Sequence, residues 1–321
     1  MSSRVYIRRV QSVGYSTLSV SLPKKWAQKR GIGKGARLVI YELPDGALLL
    51  RSEHDVSTPS VRWKVHLNLP DGTMAEVERG IIALYEAGYD VIVVSAPADA
   101  LRAVSRLWRR LSGVEVIEEG ENYVTLEAVL DHSSLSFGKI LDRMATLVRL
   151  SLEDFIRYAG EGDTLYLARV IERDDELDKF YFLLVRHSSV CFRKPHLLRE
   201  LGINDSAEVL PFLYYGKTLE RMGDTLVQLA MYVRENRRDL NRDLTTTMVE
   251  ALDLSIRSFK GTGFEAPRRL MSIHRDFFEQ RGSSSILADP LLSLVGNFLS
   301  LCLDVLDSRV ELEAVKRPLV D

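Results

Sequence analysis

Leu219-Glu220-Arg221-Met222-Gly223-Asp224-Thr225-Leu226-Val227-Gln228-Leu229-Ala230 combines a helical apolar pattern with residues that ordinarily weaken a helix. Leu219, Met222, Leu226, Leu229 and then Val233 recur at three- and four-residue intervals. On a helix turning about 100° per residue they form one stripe. Glu220 and Asp224 lie along the edge of that stripe, four residues apart, so their carboxylates stand one turn apart on one side. Gly223 sits inside the run, where glycine costs about 1 kcal/mol relative to alanine. Upstream, the stripe of a helix expected over 164–187 is Leu167, Val170, Ile171, Leu177, Tyr181, Leu184 and Val185. Asp174 and Asp178 fall inside it, again at i, i+4.

Carboxylates held close repel one another and resist desolvation unless cations or hydrogen-bond donors compensate them. Asp174, Asp178, Glu220 and Asp224 therefore suit two arrangements. They could supply oxygen ligands to a hard or borderline metal, or they could line an acidic groove open to solvent.

Helical periodicity dominates from about Ser136 onward, with helices expected near 137–158, 164–187, 206–235, 244–259, 266–280 and 290–311. Asp163 and Asp289 are candidate N-caps, the second reinforced by Pro290. Six helices suit two three-helix groups. An internal match supports this: Leu219-Glu-Arg-Met-Gly-Asp-Thr-Leu aligns with Leu292-Ser-Leu-Val-Gly-Asn-Phe-Leu, which pairs Glu220 with Ser293 and Asp224 with Asn297. Leu291 to Leu306 is the most apolar run, but it carries Asn297 and Asp304 and falls short of the roughly 20 residues that span a bilayer. No membrane insertion is expected.

Ahead of the helices, residues 61–130 read as strand, helix, strand, helix and two strands. Thr73-Met-Ala-Glu76 has capping-box spacing. Ala98 to Leu111 places Leu101, Val104, Leu107, Trp108 and Leu111 on one helical face, and Arg102, Arg106, Arg109 and Arg110 outside it, as a solvated face or an accessory nucleic-acid surface. His54 to Ser60 is a polar linker containing Pro59.

Residues 1–51 read as short strands around one short helix: extended Tyr6 to Gln11 and Ser16 to Leu22 about Gly14, helix Lys24 to Arg30 behind Pro23, then strands Arg37 to Glu42 and Ala47 to Arg51 joined by Pro44-Asp45-Gly46. So small a module buries little apolar surface and is expected to dimerise. It also holds ten Lys/Arg against two acidic residues, while the rest of the chain holds 33 basic and 43 acidic residues. A net charge of −2 thus hides a segment of +8 suited to a polyanion.

Among 321 residues there is no metal-ligating Glu-x-x-His, no complete P-loop around Gly33-Lys34-Gly35, no Gly-x-Ser-x-Gly and no His-Glu-x-x-His. A non-enzymatic role is the expectation. Cys191 and Cys302 lie among apolar neighbours and read as buried thiols. The Met-Ser-Ser-Arg start lacks an apolar signal core, so a cytoplasmic protein is expected.

Arg8-Arg-Val-Gln, Gly14-x-Ser-Thr, Val20-Ser-Leu-Pro-Lys-Lys-Trp and Gly31-Ile-Gly-Lys-Gly, in that order, resemble the AbrB-type (SpoVT-AbrB) swapped-hairpin domain, with Ala36 where an acidic residue is common. The resemblance implies an interleaved homodimer that binds double-stranded DNA. Arg8 and Arg9 would lie nearest the bases, and Lys24, Lys25, Lys29 and Arg30 would position phosphates. Asp174-Asp-Glu-Leu-Asp178 and Leu219-Glu220-Arg-Met-Gly-Asp224 resemble PhoU, the phosphate-uptake regulator family built of two three-helix bundles. That resemblance implies a divalent or iron-type metal at Asp174, Asp178, Glu220 and Asp224, and phosphate transporter or sensor proteins, including kinases, as partners. Ser293 and Asn297 depart from the acidic pattern, which puts a second site in doubt. The combined order, with Leu111-Ser-Gly-Val-Glu-Val-Ile-Glu-Glu ahead of the helices, is similar to archaeal PhoU-type regulators.

The expected fold class is α+β multidomain: an AbrB-like β module over 1–53, a small α/β layer over 54–135, and a PhoU-like all-α pair of three-helix bundles over 136–321. The expected function is a DNA-binding transcriptional regulator linked to phosphate homeostasis. The alternative is an adaptor that docks on a phosphate transporter or kinase and does not bind DNA.

Overall fold

The computed structural model describes residues 5–43, 46–53, 62–102, 104–107, 110–129, 135–237, 240–261 and 263–316. The expected turn residues Pro44 and Asp45 and the linker from His54 to Ser60 lie outside them. The chain forms two compact units, Met1–Arg62 and Trp63–Asp321.

In the first unit, β1 (Val10–Val13) and β2 (Thr17–Val20) form an antiparallel hairpin with Val13 opposite Thr17. Gly14 turns it at φ 69°, a left-handed conformation that favours glycine. Helix α1 (Lys24–Lys29) follows. Pro23 stands as its N-cap at ψ 120°: its carbonyl accepts from Ala27 N while its own backbone stays extended. A second antiparallel hairpin joins β3 (Leu38–Glu42) and β4 (Leu48–Ser52). The two hairpins are separate two-stranded sheets. Ser52 is the only buried residue among those described in this unit. Leu18 is 74 % exposed.

The second unit begins with β5 (Lys64–Asn68), α2 (Met74–Glu86), β6 (Val91–Ser95), the short helices α3 (Ala98–Leu101) and α4 (Val104–Leu107), β7 (Val114–Glu119) and β8 (Tyr123–Ala128). Its sheet runs β5-β6-β8-β7; β5 and β6 are parallel and the other pairs antiparallel. Thr73 closes the expected capping box: its hydroxyl accepts from Glu76 N, and the Glu76 carboxylate accepts from Thr73 N at 2.8 Å. The helix expected over 98–111 divides instead at Arg102, leaving α3 and α4 as single turns over a core of Val77, Ile81, Tyr85, Val94 and Leu126.

The helical body follows as α5 (Phe137–Glu161), α6 (Thr164–Arg193), α7 (Val209–Asn236), α8 (Arg242–Lys260), α9 (Glu265–Arg281), the short α10 (Ser283–Ala288) and α11 (Pro290–Val315). Asp163 and Asp289 cap α6 and α11 by accepting from Leu165 N and Leu291 N. Helices α5, α6 and α7 pack as one group of three and α8, α9 and α11 as another, with α7 against α11 between them. Two glycines mark equivalent crossings. A Cβ on Gly223 of α7 would lie 2.5 Å from Leu177 of α6, and one on Gly296 of α11 would lie 3.2 Å from Phe278 of α9. The internal match is therefore structural, since in each group the third helix meets the second at the glycine.

Helix α11 extends beyond the apolar run and is, by length and composition, the one helix among the described residues that could cross a membrane. Here Val295, Phe298, Leu299, Cys302 and Val305 are buried in the helical core. Cys191 and Cys302 are both free and buried, and burial pushes both thiols up, Cys191 to about 12.

The α/β layer is fastened to α6. Arg186, 1 % exposed, donates from Nη1 to the carbonyls of Tyr85 and Tyr89, while its Nη2 lies 3.3 Å from Asp90 Oδ1. Arg193 lies over the rings of Trp63 and Tyr89, and Phe182 packs on the layer's apolar core.

Candidate functional site: a carboxylate cluster and a basic helix

Helices α6 and α7 cross where Gly223 removes a side chain, and the crossing brings four carboxylates together. A Cβ on Gly223 would sit 2.8 Å from Asp174 Oδ1. Asp174, Asp178, Glu220 and Asp224 are graded in depth: Glu220 is buried, Asp174 and Asp178 are half-buried, and Asp224 is exposed. Burial and then the neighbouring charges of Asp178, Asp224, Asp175 and Glu220 push Asp174 up to about 7. Asp178 and Glu220 are also raised by burial, each opposed by one cation.

Those cations come from opposite sides. Lys217, one turn before Glu220 on α7, donates to Glu220 Oε1 at 2.6 Å. Arg110 arrives from the α/β layer: its Nη2 donates to Asp178 Oδ2 at 2.6 Å, Nε lies 3.5 Å from Asp175 Oδ1, and Nη1 lies 3.4 Å from Glu78 on α2. The sequence placed Arg110 on a solvated face; the structure puts it on the cluster. Helical periodicity tells which face a residue occupies but not which element covers that face, so no sequence signal pointed there.

In the cluster, two buried oxygens, Asp174 Oδ1 and Glu220 Oε2, have no hydrogen-bond partner among the described residues. Oxygen donors left over in a net-negative pocket fit a hard cation. As the side chains stand, no group of three or more His, Cys, Asp or Glu among the described residues is set to hold a metal. Arg110 holds Asp178 Oδ2, and Lys217 holds Glu220 Oε1. In the second helical group, the crossing at Gly296 is lined by Phe277 and Phe278, and Asn297 instead donates to Thr225 Oγ1 at 3.1 Å. His274 is engaged by Ser300 at 3.1 Å and lies against Phe278.

The upward shift of the Asp174 pKa has a definite consequence for stability. Its carboxyl keeps its proton up to about pH 7 when folded but loses it near the ordinary value of 3.8 when unfolded, so the folded state binds more protons between those limits. Stability of the metal-free protein should therefore fall as pH rises from about 4 to 7. Asp174→Asn should flatten that fall and gain most at pH 8, in urea titrations with EDTA present. An unchanged pH profile in the variant would refute it.

The other candidate surface is in the N-terminal unit. Lys24, Lys25, Lys29 and Arg30 are exposed on and just after α1, whose half-buried residues are Trp26 and Ala27. Arg8 and Arg9 are exposed in the segment before β1. The four α1 cations share two helical turns, and the two arginines belong to a different segment.

No curated protein and no solved structure matches the chain. Two protein families do: the PhoU domain over residues 141–233, which is α5 to α7 and includes all four carboxylates, and the antidote-toxin recognition MazE bacterial antitoxin family over residues 11–57. The chain thus carries a stretch similar to the MazE/AbrB-like family ahead of one similar to the PhoU domain.

Proposed function

We propose that the protein is a DNA-binding transcriptional regulator of phosphate homeostasis that acts as a homodimer. The N-terminal unit would meet double-stranded DNA through Arg8, Arg9, Lys24, Lys25, Lys29 and Arg30. The PhoU domain would sense, through a hard cation at the carboxylate cluster or a docked protein partner. One observation carries the reading: the first 51 residues carry +8, and the described residues of their unit bury only Ser52. Such a unit lacks a core of its own, and a second copy would cover its apolar side chains and double its charge. Arginine suits bidentate contact with guanine or phosphate, and lysine a point contact with the backbone.

The test is binding of the purified protein to its own upstream DNA and to an unrelated duplex, titrated across salt, beside Arg8→Ala/Arg9→Ala. Tighter binding to the upstream duplex, lost in the variant, is the expected result. Weak and equal binding of both proteins to both duplexes would overturn it and leave the adaptor for a phosphate transporter or kinase as the better reading.

A further inference from the structure

We propose that the open face of the α/β sheet is a second homodimer interface, which closes on the same face of a second copy about a two-fold axis running along the strands. This interface presupposes the homodimer of the proposed function and adds to it a contact that the N-terminal unit does not make.

Helices α2 and α3 pack on the side of the sheet that carries Ile92, Val94, Val124 and Leu126, and α2 in turn packs against α6. Side chains alternate along a strand. The opposite face therefore carries Lys64 and His66 of β5, Val91 and Val93 of β6, and Glu115 and Glu118 of β7. A bulge between Val116 and Glu118 keeps Glu118 on this face opposite Thr125, and Tyr123 of the same face donates to it at 2.8 Å. Val91 and Val93 are half-buried and belong to neither apolar core of the chain.

The charges on this face are sorted by edge. Lys64 and His66 stand exposed on the β5 edge, and Glu115 and Glu118 stand exposed on the β7 edge. A two-fold axis across the strands would lay β5 on β5 and β7 on β7, like charge on like. An axis along the strands, between β6 and β8, lays β5 on β7 instead. The pairing register puts Lys64, Val91, Glu127 and Glu115 in one row, and His66, Val93, Thr125 and Glu118 in the next. Lys64 then faces Glu115 of the second copy and His66 faces its Glu118, at both ends of the interface. The valines lie beside the axis, an apolar centre inside a charged rim.

Size decides how such a face is used. Four strands about 4.8 Å apart, at about 3.3 Å per residue, give a face of about 14 by 17 Å between strand axes. That is well below the roughly 800 Å² per partner of a stable free complex. A tether makes up the difference. Only residues 53–63 separate β4 from β5, so two copies joined at their N-terminal units hold their sheets at roughly millimolar effective concentration, where a weak face suffices.

Full-length Ala83→Cys would carry a spin label at an exposed position of α2, on the far side of the sheet from this face. Cys191 and Cys302 are buried and escape the label. Electron–electron double resonance reads the distance between the labels of two copies, sedimentation counts the copies, and circular dichroism checks the folding of each variant. A single narrow population of distances is expected. Lys64→Glu sets acidic residues against one another at both ends and should abolish that population, and Glu115→Lys added to it should bring it back. A broad population in the labelled parent, with two copies in sedimentation, would overturn the interface and leave the N-terminal homodimer standing. One copy in sedimentation would overturn both. A narrow population that survives Lys64→Glu, or that the exchanged pair does not recover, would also overturn it, since the contact would then lie on another surface.

Discussion

Arg186→Met is expected to lower the unfolding free energy by about 3–5 kcal/mol, the range for breaking a buried charge pair from one side. Arg186 is 1 % exposed, and methionine would keep much of its volume while removing every hydrogen bond it makes. The consequences differ among its partners. Tyr85 O would still accept from Gly88 N at 2.9 Å. Tyr89 O, on a half-buried residue, would lose its 2.7 Å donor. Asp90 Oδ2 would still accept from Trp63 N at 2.9 Å, but its charge would have lost its cation. Asp90→Asn added to Arg186→Met should therefore recover part of the loss, because an amide costs less to leave there than a carboxylate. Urea unfolding of the single and double variants measures both effects. A loss under about 1 kcal/mol in the single variant would mean that the layer is held by Phe182 and apolar packing instead.

The elements that were legible in the sequence are those whose signal is local. Asp163, Asp289-Pro290 and Thr73-x-x-Glu76 mark helix starts through contacts within three residues, and the caps form where expected. The two PhoU-like carboxylate pairs were legible because an i, i+4 spacing fixes a face; Gly223 was noticed only as a glycine inside a helix, and the crossing it permits came from the structure. Contacts between elements were not. Helix α6 was expected to end near 187. It continues to Arg193 because His187 bonds the Leu135 carbonyl at 3.1 Å and Ser188 bonds back to Leu184 O at 2.8 Å, satisfying polar groups in a buried turn. Phe182, Arg186 and Arg193 form a second contact face on α6, and one-stripe analysis assigns such residues to solvent. Arg110 was misplaced for the same reason. A long helix carrying an aromatic residue and arginines off its main stripe is thus worth reading as a helix covered on two sides.

Lys24→Ala/Lys25→Ala/Lys29→Ala should weaken binding to every DNA duplex by a similar factor and flatten its salt dependence, while leaving discrimination between duplexes nearly intact. The three lysines are exposed and α1 buries none of its residues, so alanine, a better helix former, should not unfold the unit. Trp26 and Ala27, which face inward, are untouched. Each phosphate neutralised by a cation releases condensed counterions, and the slope of log affinity against log salt changes by about 0.9 per contact. Three lysines in each of two copies would make the slope shallower by about 5. Arg8→Ala/Arg9→Ala should behave differently, losing the preference for the specific duplex with a smaller change in slope, because base contacts specify while phosphate contacts position. Fluorescence anisotropy of both variants on two duplexes between 50 and 300 mM salt separates the roles. A slope unchanged by the triple substitution would remove α1 from the interface, and the basic charge near the N-terminus would then need another polyanion.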